Sequence, residues 1–242
     1  MQRSSLDLYL LGNVALDDAL RLQRRLVYDF GDRDRHGAGL ILCEHPPVLT
    51  IGRSGSRIHI APRDDELRGL GLRMRWLNRG GGCVLHLPGQ LAAYLVVPLE
   101  PLGLSVGGYL DRVHASIVAT LAEFGLAGST RHDCAGVFID RARVAAVGVA
   151  VSRWVAYYGF SLNVGLYLDP FRIMNEPGPE GRSLRQTSIE ARRQRPAPMP
   201  KVREALARGV ADAFDLELAH IHTSHPLIRR TTPADVHVAA LG

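Results

Sequence analysis

Lysine is almost absent from this chain of 242 residues, because Lys201 is its only lysine and arginine supplies the rest of the 29 basic residues. With 24 acidic residues, the formal net charge is +5. Such an excess suits an acidic protein partner or a nucleic acid. We expect no nucleic-acid binding, because the arginine-rich stretch 182–203 has neither interleaved aromatic side chains nor a reading helix.

Cysteines and long apolar runs are also scarce. The three cysteines, Cys43, Cys83 and Cys134, form no CxxC pair and are odd in number. They therefore give no disulfide framework, and we expect reduced thiols in the cytoplasm. No run of roughly 18 apolar residues is present, so we expect no membrane association. The N-terminal segment soon reaches Asp17 and Asp18, which argues against a signal peptide.

Apolar residues make up 46% of the chain, enough for a packed core. Their spacing predicts both helices and strands. The predicted helices are 15–30, 106–124 and 201–214, and the predicted strands are 6–11, 39–43, 48–51, 73–77, 83–87, 92–99, 137–139, 144–151 and 154–162. This order indicates an α+β domain over residues 1–225, with helices packed on a mixed or antiparallel sheet. Residues 226–242 have little periodicity and predict a flexible tail.

The most informative segment is RGGGCVLHLPGQ at residues 79–90. Its consecutive glycines, Gly80, Gly81 and Gly82, let a backbone approach a ligand closely and expose N–H donors. Arg79 before them and His86 after them can orient a thioester or carboxylate carbonyl. Taken on its residues alone, such a segment is more often a structural turn between strands than a binding site.

Residues 79–90 resemble the Arg-Gly-Gly…His-x-Pro-Gly-Gln motif of octanoyltransferases, and other matches follow in the same order along most of the chain. They include EHPPVLTIGR at 44–53, Tyr94, Arg131, Asp133, VAAVGV at 144–149, GFSLNV at 159–164, Pro170, Phe171, Asn175 and Gly178. The resemblance implies the fold shared by lipoate and biotin protein ligases, and a monomer is expected. It also implies an acyltransferase of lipoate biosynthesis that needs no cofactor. The implied substrates are octanoyl-acyl carrier protein and a lysine on lipoyl domains of 2-oxoacid dehydrogenase or glycine cleavage proteins.

The same resemblance implies a substrate pocket built from three segments. We expect these segments to converge on one largely apolar slot, because burying an acyl chain gains roughly 0.8 kcal/mol per methylene. The implied pocket residues are Arg79, Gly80, Gly81, Gly82, His86, Ala146, Val147, Gly148, Gly159, Phe160 and Ser161.

Two positions depart from the family pattern. A cysteine thiolate of that family attacks the thioester, and a neighbouring lysine lowers the pKa of the thiol. In this chain Pro177 stands at the position of the cysteine, and Arg143 stands at the position of the lysine. Proline has no nucleophilic atom. Arginine can support a thiolate electrostatically, but it cannot act as a base near neutral pH.

Three accounts of the chemistry therefore stay open. In the first, Cys134 on a polar loop, or secondarily Cys83 in the glycine segment, replaces the nucleophile. In the second, the lipoyl-domain lysine attacks the thioester directly, with His86 as base or orienting group. In the third, the protein is a catalytically dead pseudoenzyme that binds an acyl chain or a lipoyl domain. An ATP-dependent ligase is disfavoured, because that activity relies in related ligases on a lysine at the position of Arg143.

A last cluster, His220, His222 and His225, has the form H-x-H-x-x-H. Imidazoles two residues apart share one face of a strand, so metal binding is conceivable. No carboxylate or cysteine completes a ligand set nearby in the sequence. We therefore interpret the histidines as a solvated cluster and expect no metal site.

Overall fold

A computed structural model describes residues 4–31, 37–179 and 183–229, and all structural statements below concern this part of the chain. The helices are α1 (Leu16–Phe30), α2 (Asp64–Gly69), α3 (Val106–Glu123), α4 (Ile189–Arg193) and α5 (Met199–Phe214). The strands are β1 (Ser4–Asn13), β2 (Ala38–Glu44), β3 (Val48–Ile51), β4 (Arg73–Trp76), β5 (Cys83–His86), β6 (Gln90–Pro98), β7 (Ser129–Thr130), β8 (Val137–Ile139), β9 (Ala142–Ser152), β10 (Val155–Asn163), β11 (Arg185–Gln186) and β12 (Leu216–His222). Two 3₁₀ turns are Arg57–His59 and Asp169–Ile173.

Nine of the described strands form one mixed sheet in the order β12-β1-β2-β6-β10-β9-β8-β7, with β11 beside β9. Strand β1 runs parallel to both of its neighbours, and the pairs from β2 to β7 along this order are antiparallel. A second sheet has the order β4-β3-β5, and its strand β5 begins at the end of the glycine segment. Residues 83 and 86 are three positions apart on β5 and therefore point to opposite faces of the small sheet, with Cys83 directed into the core beneath it.

Both faces of the large sheet are buried, which explains why its central strands are apolar throughout. On β2, Leu40 and Leu42 point into the core that contains α3 and α5, whereas Ile41 and Cys43 point into the core that contains α1. This alternation is the period of two that a strand requires. A third core lies beneath the small sheet, around Leu85.

The predicted α+β class is confirmed, and the predicted helices and strands agree with the structure to within about two residues. The sequence prediction did not include α2, α4, β7 or β11, and of β12 it predicted only a strand end at the histidine cluster. Within the described part of the chain, no helix combines the length and apolar character needed to cross a bilayer. The predicted tail falls largely on residues 230–242, which lie outside the described residues.

The histidine cluster lies at the end of β12, at the sheet edge. His220 Nδ1 lies 3.2 Å from the carboxylate of Asp7. The ring of His222 stacks on that of Tyr9, with centroids 4.6 Å apart. The sheet edge therefore already provides partners for these two imidazoles.

Close packing of α3 against α5 generates a stability prediction. A Cβ atom on Gly209 would lie 3.1 Å from the Ser116 carbonyl oxygen. We expect Gly209→Leu to force the helices apart and to lower the free energy of unfolding by about 1–3 kcal/mol. Gly107→Ala is the matched control, because a Cβ there meets only Ser105 Oγ, at 3.8 Å. Urea unfolding measures both, and equal stability of Gly209→Leu and the natural sequence would contradict the close packing.

Candidate active site

The glycine segment lies directly on β9. The Gly80 N–H donates to the Val149 carbonyl at 2.8 Å. A Cβ on Gly148 would lie 2.5 Å from the Gly80 carbonyl oxygen, and Gly81 has φ +77°. These glycines are therefore required for contact between two backbones, which fixes the small sheet to the large one.

The three segments expected to form a pocket meet at one narrow cavity of about 40 Å³. The lining residues are Leu77, Arg79, Val84, His86, Ala92, Ala93, Tyr94, Ala146, Val147, Gly148, Tyr158, Gly159, Phe160 and Ser161. We call this cavity the slot. Gly80, Gly81 and Gly82 are not among its lining residues and instead hold its wall in place. That the lining residues bind an acyl chain remains a prediction.

His86 is held in the wall of the slot by a buried network. Its Nδ1–H donates to Gln90 Oε1 at 2.9 Å, and Gln90 in turn donates through Nε2 to Asn163 Oδ1 at 2.9 Å. Its Nε2 lies 3.2 Å from Thr50 Oγ1, which accepts from Arg79 Nη2 at 2.8 Å. Because Gln90 presents its oxygen to Nδ1, the imidazole carries its proton there and accepts at Nε2.

Burial keeps this histidine neutral. It lowers the pKa of His86 well below the usual 6.5, and the neighbouring His45 and Arg79 lower it further. Burial likewise lowers the pKa of His45 to about 4. The Nδ1–H of His45 donates to the Val14 carbonyl at 2.6 Å, and its Nε2 lies 2.7 Å from the hydroxyl of Tyr94. Two neutral imidazoles therefore lie beside the slot.

Arg143 reaches this site because β9 contains a bulge. Val137 pairs with Ala145 and Phe138 pairs with Arg143, so Val144 is an extra residue on β9. Both Val144 and Ala145 point into the core beneath α3 and α5. The bulge thereby turns Arg143 to the opposite face, the one that carries the slot.

Glu176 is the partner of Arg143. Arg143 Nη2 donates to Glu176 Oε2 at 3.0 Å, and the Cys83 backbone N–H donates to Glu176 Oε1. Both side chains are buried, with 7% and 6% exposed. A Cβ on Gly82 would overlap Glu176 Oε1, so a side chain at this position would displace the carboxylate from the Cys83 N–H. Within the described chain, Arg143 Nε has no acceptor.

The sequence prediction did not include Glu176 as a site residue. A single glutamate in a loop carries no periodic signal, and its partners lie far from it along the chain. Only its position beside Pro177 could have indicated it. Pro177 is itself exposed and forms an isolated bridge with Ser183. The position that holds cysteine in the resembled family therefore lies next to the buried ion pair.

The three cysteines differ in exposure. Cys43 and Cys83 are buried, and burial raises the pKa of both thiols, that of Cys43 to about 12. Cys134 is partly exposed. Its pKa is raised mainly by burial and further by Glu176, whereas the charge of Arg143 lowers it.

The loop of Cys134 contacts Arg143 directly. Gly136, two residues further on, has φ +138°, and a Cβ there would lie 3.0 Å from Arg143 Cδ. Glycine at 136 thus allows the loop to lie on the arginine. Cys134 and Arg143, predicted as catalytic residues from the sequence, are close in space, but their catalytic role remains a prediction.

Donor atoms of His59, Cys83 and Glu176 lie within 4.8 Å of one another, and these residue types can bind metals. Both oxygens of Glu176 are already engaged, by Arg143 and by the Cys83 N–H. The carboxylate compensates a buried guanidinium, so we assign no metal to this group.

Comparison with known proteins identifies the family. The family model for the lipoyl protein ligase A/B catalytic domain matches residues 15–211. The chain belongs to this family. An octanoyltransferase of Geobacter metallireducens is 34% identical over 216 residues, which are 89% of this chain and 97% of that protein. An octanoyltransferase of Myxococcus xanthus is 34% identical over 223 residues, which are 88% of this chain but only 61% of that protein.

Solved structures of lipoate protein ligases share the fold. A lipoate-protein ligase A bound with ATP superposes with a TM-score of 0.73 at 16% identity, over 92% of this chain and 90% of the other. A bipartite lipoate protein ligase of Thermoplasma acidophilum gives a TM-score of 0.72 at 17% identity, over 93% and 89%. The resemblance to octanoyltransferases and the lipoate ligase fold are both confirmed.

The neutral histidines generate a pH prediction. As the pH falls below 6.5, the unfolded chain binds a proton at His45 that the folded protein binds only near pH 4, so stability falls. Each such histidine contributes a loss of up to about 1.4 kcal/mol per pH unit. We expect urea unfolding to show lower stability at pH 5 than at pH 7.5, with a smaller difference in His45→Gln. A pH dependence unchanged by His45→Gln would contradict the neutral state of His45.

Proposed function

We propose that the protein transfers an octanoyl group from its thioester on acyl carrier protein to a lysine of a lipoyl domain. The observation that carries the proposal is the slot, because all three family segments line it. Arg143 precedes the slot residue Ala146 by three positions on β9. Relatives at 34% identity are named octanoyltransferases. We propose residues 1–225 as the catalytic domain, and lipoyl domains of 2-oxoacid dehydrogenase or glycine cleavage proteins as acceptors.

The acyl chain would lie in the slot along β9 and β10. Ala146 pairs with Ser161, and Gly148 pairs with Gly159, so small residues form the floor of the slot. The carbonyl end would face Arg143, which precedes Ala146 on the same strand. The free Nε–H of Arg143 would then donate to the thioester carbonyl, where negative charge develops during attack.

We propose Cys134 as the nucleophile in place of the family cysteine. Of the three thiols it alone is partly exposed, so a thioester delivered by a carrier protein can reach it. Its thiolate would attack the carbonyl, form a new thioester and release the carrier thiol, which takes up a proton. The lipoyl-domain amine would then attack this acyl-enzyme, form the amide and release the Cys134 thiolate, which takes up the proton that the amine loses.

Opposing effects act on the pKa of the Cys134 thiol, and the net result is a raised pKa. Arg143 favours the thiolate of Cys134, whereas burial and Glu176 disfavour it. At rest the thiol therefore holds its proton more tightly than an exposed cysteine does. Transfer should accordingly accelerate as the pH rises through the alkaline range, because only the thiolate attacks.

His86 suits an orienting role better than that of a base in direct transfer. Both of its ring nitrogens are engaged, at 2.9 Å to Gln90 and 3.2 Å to Thr50. Accepting a proton from a lysine would require His86 to leave Thr50 and to become charged in a buried site.

Pro177 favours a different function, a binding module without chemistry, and the experiments below distinguish this function from octanoyl transfer.

The first experiment locates the acyl group. The protein is incubated with octanoyl-acyl carrier protein and a lipoyl domain, and mass spectrometry follows both proteins. We expect Cys134→Ala to abolish the acyl-enzyme and to lower transfer at least about a hundredfold, the scale of losing one catalytic group. Cys83→Ala should retain the acyl-enzyme. An adduct on another residue would contradict the assignment, and absence of transfer by the natural sequence would favour the binding module.

The second experiment restores the residues of the family. Pro177→Cys with Arg143→Lys should raise octanoyl transfer above that of the natural sequence, because the slot retains its family segments. Pro177 is exposed, so cysteine fits there. Arg143→Lys alone is the control, and it should not raise transfer, because it adds no thiol. If the folded double variant is no faster, the site has lost the geometry that the family chemistry needs.

A further inference from the structure

Tyr158 separates two cavities. On one side is the slot, of about 40 Å³, and on the other is a groove of about 680 Å³ between α1 and the β9–β10 hairpin. Tyr158 lines both of them. The groove has mixed chemistry, with Leu20, Val27 and Tyr28 beside Arg24 and other polar residues.

Strand register puts Tyr158 at the far end of the slot from Arg143. Ser161 pairs with Ala146, and Tyr158 pairs with Val149. These two pairs are three positions apart on β9, a length of about 10 Å. An acyl chain whose carbonyl faces Arg143 therefore directs its methyl end towards Tyr158.

The backbone at Tyr158 is held in an unusual conformation. Its φ is +63°, a region that non-glycine residues rarely adopt. Strand β10 pairs with β6 at Ala156 and again from Gly159, and the two residues between them do not pair with β6. Between these positions, the Tyr158 N–H donates to the side-chain oxygen of the buried Gln23 at 2.8 Å. Helix α1 thus holds the tyrosine in place through Gln23.

The side chain of Tyr158 is also held by its neighbours. The Tyr158 hydroxyl lies beside the backbone of Asn78, which precedes Arg79 of the slot wall. Its ring stacks on that of Tyr157, with centroids 5.0 Å apart and planes inclined by 27°. A tyrosine with positive φ, whose N–H and ring are both held beside a cavity, points to a functional constraint at this position.

We propose that Tyr158 closes the slot and determines the acyl chain length, so that a chain longer than octanoyl is admitted only when this ring no longer blocks the groove. The groove is then the subsite for the distal methylenes of a long acyl chain. This inference rests on the proposed function, since it assumes that the slot holds an acyl group.

The test measures binding, which is independent of transfer. Isothermal titration calorimetry compares amide analogues of octanoyl- and dodecanoyl-pantetheine, which cannot transfer their acyl group. The natural sequence should prefer the octanoyl analogue at least tenfold. Tyr158→Gly removes the ring and suits φ +63°. It should shift the ratio of the two dissociation constants at least tenfold towards dodecanoyl, because each buried methylene contributes about fourfold.

Tyr158→Phe is the matched control, because it keeps the ring and loses only the hydroxyl; it should keep the octanoyl preference. Tyr158→Ala, checked by its melting temperature, should shift the preference in the same direction as Tyr158→Gly. An unchanged ratio in the folded glycine and alanine variants would overturn the chain-length role while leaving octanoyl binding intact. Failure of the natural sequence to bind the octanoyl analogue would overturn the proposed function, and this inference with it.

Discussion

The Arg143 guanidinium and the Glu176 carboxylate are both more than nine-tenths buried and lie 3.0 Å apart, where β9 faces the loop after residue 173. Breaking such a pair by removing one partner costs about 3–5 kcal/mol, because the other charge stays buried and uncompensated. Arg143 can reach Glu176 only because of the bulge at Val144. Glu176 can reach the Cys83 N–H only because Gly82 has no side chain. The bulge, the glycine segment and the loop before Pro177 therefore depend on one another through this pair.

The pair also changes the chemistry of the site. In the family pattern a lysine lies beside a cysteine, so its charge is available to a thiolate. Here the positive charge of Arg143 is already compensated by Glu176, and Cys134 experiences both charges. The slot lined by the three family segments is present, whereas the charges beside it differ from the family pattern.

The strands and helices could be predicted because their buried faces place apolar residues at regular spacing along the sequence. The apolar run at 92–99 indicates a buried central strand, and the glycine motif indicates a segment of the pocket. The function of the glycines was only partly predictable, since their contact is with the backbone of Val149 rather than with the slot. The Arg143–Glu176 pair was not predictable, because the bulge that orients Arg143 arises from the pairing of β9 with β8. A loop glutamate shows its role only when the chain is folded.

The parallel pairing of β1 with β12 has a consequence for synthesis of the protein. Ser4 lies opposite Leu216 and Tyr9 opposite His222, so the two strands come from opposite ends of the described chain. At roughly 5–20 residues per second, the ribosome supplies β12 on the order of ten seconds or more after β1. During that time one edge of β1 has unpaired backbone groups, which can pair with other chains. The nascent protein is therefore most prone to aggregation until β12 emerges.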